Sequence, residues 1–72
     1  MDGIYAVVKK YGEDYREWVF KPDQYDDIAD IVMMLTDADV EISNDAASWC
    51  ELATVGEIYE FREGEIEIME ID

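Results

Sequence analysis

The chain predicts a small single α+β domain spanning residues 1–72: elements in the order ββααββ, with a four-stranded, mostly antiparallel sheet carrying two helices on one face. Three observations carry that expectation. β-branched and aromatic runs stand near both ends of the chain, each pair separated by a short turn signal. Between them lie two stretches with helical periodicity and helix-start residues. Seventy-two residues leave room for one thin core and no second domain.

The elements follow in order. Ile4-Tyr-Ala-Val-Val8 reads as a well-covered strand, and Gly12-Glu13-Asp14 as a turn. Tyr15 to Phe20 alternates, with Trp18 and Phe20 on one face and Glu17 and Val19 on the other, so the first two strands form a hairpin. Pro22-Asp23 starts the first helix, Pro suiting the first turn and Asp capping exposed amides. On a 3.6-residue period Tyr25, Ile28, Ile31, Val32 and Leu35 share one side, and Asp23, Asp26, Asp27, Asp30 and Asp37 the other. Ser43, Asn44 and Asp45 are N-cap residue types, so the second helix is expected to begin there. Ala46, Trp49, Cys50 and Ala53 form its inner face and Gly56 its end. Ile58 to Phe61 is a strand, Arg62-Glu63-Gly64 a tight turn, and Glu65 to Ile71 an alternating half-buried strand. The expected core is Val8, Trp18, Phe20, Ile28, Ile31, Val32, Leu35, Trp49, Ala53, Phe61, Ile66 and Ile68.

Charge is distributed unevenly. Lys9, Lys10, Arg16 and Lys21 balance Asp2, Glu13, Asp14 and Glu17 within the first 21 residues. The remaining 51 residues hold sixteen acids against Arg62, so they carry the whole formal charge of −15. Like charges in a small fold repel one another, and a domain that keeps such a field is expected to use it on a positively charged partner. Direct binding of nucleic acid or of an anionic membrane is disfavoured by the same field. The longest apolar run, Ile31 to Leu35, is far short of a membrane span. No basic segment followed by an apolar stretch marks a signal peptide, and Cys50 is the single cysteine, so a cytoplasmic location is expected.

The residues offer little for catalysis. Histidine is absent, Ser48 lacks a glycine-flanked nucleophile turn, and Cys50 lies on an inner helix face with no base near it in sequence. A non-enzymatic chain is expected, with no cofactor. Asp37, Asp39, Glu41, Ser43 and Asp45 alternate like the opening of a calcium loop. Ile42 and Ser48, however, stand where such a loop needs its glycine and its bidentate glutamate, so no metal is expected. The aromatics fall at core positions, and a stacking platform for single strands would need a basic groove that this chain lacks.

The acidic side of the first helix is the leading candidate surface. Asp23, Asp27, Asp30 and Asp37 recur at spacings of four, three and seven, with Asp26 beside them. At about 1.5 Å per residue the stripe runs roughly 20 Å. Met34 lies within it as an adaptable apolar contact. A second row is expected from Glu65 and Glu67 on the last strand, joined by Glu60 if its strand pairs opposite. Strand carboxylates two apart are separated by about 7 Å, close to the spacing of neighbouring phosphates along a nucleic-acid strand.

These residues point to a protein-binding module that docks a basic surface. Its sharper form is an inhibitor that occupies the nucleic-acid site of a DNA- or RNA-binding protein. In charge and size the chain is similar to the DNA-mimic proteins that phages and mobile elements deploy against restriction or CRISPR nucleases, a likeness of composition that covers no motif. The competing readings are an acidic domain serving solubility in a salty cytoplasm, a homo-oligomer meeting through Met69, Ile71 or the neutral N-terminal hairpin, and a divalent-cation binder.

Overall fold

A computed structural model describes the backbone of residues 3–71 and the side chains of residues 3–70. Strands β1 (Gly3–Lys10) and β2 (Arg16–Phe20) form the first hairpin. A 3-10 turn (Pro22–Gln24) leads into α1 (Tyr25–Leu35), followed by α2 (Val40–Leu52), then β3 (Ile58–Phe61) and β4 (Gly64–Ile71). The sheet is antiparallel throughout, in the order β2-β1-β4-β3. The two eight-residue strands with the most apolar inner positions, β1 and β4, occupy its centre, and the short β2 and β3 lie at its edges. The expected ββααββ order and the antiparallel sheet are therefore present.

The core forms where the helices meet one sheet face. Ala6 and Val8 of β1 and Ile66 and Ile68 of β4 pack with Tyr25, Ile28 and Val32 of α1 and Ala46 and Cys50 of α2. Trp18, Phe20, Ile31, Leu35, Trp49, Ala53 and Phe61, all expected in the core, are half-buried around it. Large aromatics rim a core this thin because their rings reach past what the helices cover. Tyr59 joins them, its ring 5.5 Å from that of Trp49 and 6.5 Å from that of Phe61. Gly64 is required by packing: a Cβ there would stand 1.9 Å from the Lys9 carbonyl oxygen across the β1–β4 ladder.

Three local expectations are corrected. The α2 N-cap is Asp39, whose Oδ1 accepts from the Ile42 N–H at 3.1 Å. The helix thus begins at Val40 and takes Ser43, Asn44 and Asp45 into its interior. Ser43 is fully buried and satisfies its hydroxyl by donating to the Val40 carbonyl at 2.9 Å. Gly56 ends no helix, since α2 stops at Leu52. With φ of 95°, Gly56 donates its N–H to the Ile68 carbonyl while Ile68 donates to Glu57, the two-against-one arrangement of a glycine bulge. At the 3-10 turn that leads into α1 the capping side chain belongs to Gln24, not Asp23: its Oε1 accepts from the Lys21 N–H at 3.1 Å.

The turn between the helices carries strain. Asp37 and Ala38 both have left-handed backbones, with φ of 58° and 66°. The Ala38 N–H donates to the Met33 carbonyl at 2.7 Å, closing the end of α1, and the Thr36 hydroxyl donates to the Val32 carbonyl at 2.7 Å. A non-glycine residue pays for that conformation through its Cβ.

Candidate functional site

The aspartates of the first helical region stand on its solvent side because Tyr25, Ile28 and Val32 take the other side into the core. Asp26, Asp27 and Asp30 are exposed on α1, Asp23 is exposed on the preceding 3-10 turn, and Met34 is 59% exposed among them. Asp37 is exposed but lies past the last residue of α1, in the strained turn, instead of continuing the helical stripe. None of these carboxylates has a lysine or arginine within ion-pair distance among the described residues; the ion pairs there belong to Lys9.

Glu60, Glu65 and Glu67 lie elsewhere. Strand alternation turns them to the sheet face opposite the helices, so the two acid rows point away from each other and form no single surface. The pairing expected of Glu60 is present, with Glu60 directly opposite Glu65. Glu65 and Glu67, however, are partly compensated. Lys9, flanked in register by Glu17 and Glu65, places its Nζ 2.7 Å from Glu67 and 4.0 Å from Glu65. The Tyr11 hydroxyl donates to Glu65, and the Tyr15 hydroxyl donates to Glu17 at 3.2 Å. The hydrogen bond to Glu67 raises the Lys9 pKa above its usual value, and the bond to Glu65 pushes the Tyr11 hydroxyl up to about 12. On this face Val7 is only 3% exposed although no helix covers it. The expected self-contact at Met69 finds a half-buried residue on the same face, and the side chain of Ile71 lies outside the described residues.

Cys50 is buried, and desolvation pushes its thiol pKa to about 12, so the nucleophilic thiolate is suppressed near neutrality. Starting α2 at Val40 dissolves the alternation from Asp37 to Asp45. Among the described residues no three His, Cys, Asp or Glu side chains converge as metal ligands would.

One feature was not anticipated from composition. At the end of the sheet, Lys10, Arg16 and Trp18 line a cleft of about 280 Å³ together with Met34 and Leu35 from the last turn of α1. Strand parity was legible, but bringing α1 against that end of the hairpin took the tertiary fold. No family model matches the chain, and no curated protein or solved structure matches it either. Among the described residues no helix is long and apolar enough to cross a membrane.

Proposed function

We propose that this chain is a non-catalytic acidic module that works in the cytoplasm by docking the basic surface of another protein through the exposed side of α1. The observation that supports this is the contrast between its two acid rows. Asp23, Asp26, Asp27 and Asp30 stand exposed with no lysine or arginine within ion-pair distance among the described residues, whereas Glu65 and Glu67 are already held by Lys9 and Tyr11. Uncompensated surface charge speeds encounter with an opposite surface and makes affinity depend steeply on salt. Met34 adds an apolar contact to the charged row.

The test is affinity capture from cells that express the protein, followed by titration of the captured partner with wild type and with Asp27→Lys/Asp30→Lys. The reading expects a basic partner whose affinity falls at least about tenfold in the double variant, with the fold retained, since like charges would then face each other. An unchanged dissociation constant would remove α1 from the interface. Displacement of the partner by added DNA or RNA would sharpen the reading to nucleic-acid mimicry; capture without displacement would leave docking and remove mimicry. A melting temperature that climbs toward molar salt with no partner captured would favour the solubility reading.

A further inference from the structure

The cationic cleft is a feature that an acidic docking module does not need. Lys10 and Arg16 are direct cross-strand partners, so two like charges face each other where β1 and β2 meet the turn. Like charges directly opposite each other in an antiparallel pair are destabilising. The chain has twenty acids with which to relieve the pair. Yet among the described residues neither cation lies within ion-pair distance of a carboxylate, and no side-chain donor of either meets a protein acceptor. The Arg16 guanidinium is held over the Trp18 ring, 4.9 Å from its centroid. That contact leaves all five N–H donors without a protein partner. Below it, Trp18, Met34 and Leu35 give the cleft apolar walls.

We propose that this cleft binds a small amphipathic anion: an aromatic or short aliphatic body bearing one carboxylate or phosphate monoester. The anionic head would lie between Lys10 and Arg16, and the body against Trp18, Met34 and Leu35. The volume, about 280 Å³, is near the lower bound of small-molecule sites. An apolar body is needed as well as a charge. Any anion approaches through the field of a −15 chain, so a bare ion has only two local cations to offset that repulsion. Burial of a ring or short chain supplies a term that the field does not oppose. The cleft shares Met34 with the α1 surface, but its cations Lys10 and Arg16 lie outside that surface, so Arg16→Gln and Asp27→Lys/Asp30→Lys test the two readings separately.

The test is NMR titration of the full chain with phenyl phosphate, benzoate, inorganic phosphate and neutral benzyl alcohol, following the Trp18 indole N–H and the Lys10, Arg16 and Leu35 amides. A saturable shift at these positions with phenyl phosphate or benzoate, at millimolar affinity or better, supports the site, and the tighter of the two identifies the head group. Arg16→Gln is expected to weaken binding about tenfold, as loss of a charge-assisted hydrogen bond would. Lys21→Gln, the same charge change outside the cleft, should leave binding as it was. Three results would each overturn the proposal: no saturation by either aryl anion, equal binding of inorganic phosphate or benzyl alcohol, or equal effects of Arg16→Gln and Lys21→Gln.

Discussion

Replacing Ala38 with glycine should make this protein more stable. Ala38 has a φ of 66° in the turn that joins α1 to α2, and its N–H closes the end of α1 on the Met33 carbonyl at 2.7 Å. Its methyl group is exposed, so removing it empties no core volume. An L residue in the left-handed region carries about 1–2 kcal/mol of steric cost that glycine does not. Against that, glycine loosens the unfolded chain by roughly 0.5–1 kcal/mol. The two ranges leave a gain centred on about 0.75 kcal/mol, which for a domain of this size is a rise in Tm of roughly 3–6 °C. Ala38→Val supplies the opposite sign, because a β-branched side chain tolerates the conformation worst. Asp37→Asn separates the charge effect. Asparagine keeps the tolerance for a left-handed backbone and removes a charge that opposes the α1 C-terminal dipole but favours the α2 N-terminal one, so its Tm should stay close to wild type. Circular dichroism melts and urea titrations at fixed salt would measure all three. An Ala38→Gly protein with an unchanged or lower Tm, at the wild-type urea slope, would refute the assignment of strain to this turn.

Two further expectations concern the uncovered sheet face and pH. Lys9→Gln should cost about 1–2 kcal/mol, because it removes the Glu67 bond and leaves a row of Glu17, Glu65 and Glu60 across the sheet with no cation in it; the loss should shrink in molar salt, and an equal loss at all salt concentrations would show that packing, not charge, was removed. Alkaline pH should unfold the protein. Cys50 is raised from 9.0 to about 12 by burial and Tyr11 from 10.0 to about 12 by its bond to Glu65, while Tyr25 and Tyr59 are raised by burial and Lys9 by Glu67. Each is a folded-state pKa above the unfolded one, so its stabilising contribution is complete below about pH 9 and is lost as pH climbs toward 12. A Tm that stays flat from pH 8 to 12 would contradict this sign.

The periodicity of the side chains alone determined which elements form and which way each one faces. Trp18 and Phe20 turn inward while Glu17 and Val19 turn outward, and the α1 aspartates are exposed because Ile28 and Val32 must be buried. The charge imbalance was equally plain. Helix ends were less legible around Asp39 to Asp45, where four residues in seven are cap types and only the packing of Ser43 and Ala46 selects Asp39 as the cap. Strand order was decided by tertiary structure. Pairing β1 with β4 joins the two ends of the chain, and Lys9 meets Glu67 across 58 residues of sequence. Local patterns state that a face is apolar, but several strand orders bury the same faces. The one adopted depends on the summed packing of side chains remote in sequence, which also set Lys10, Arg16 and Trp18 beside the last turn of α1.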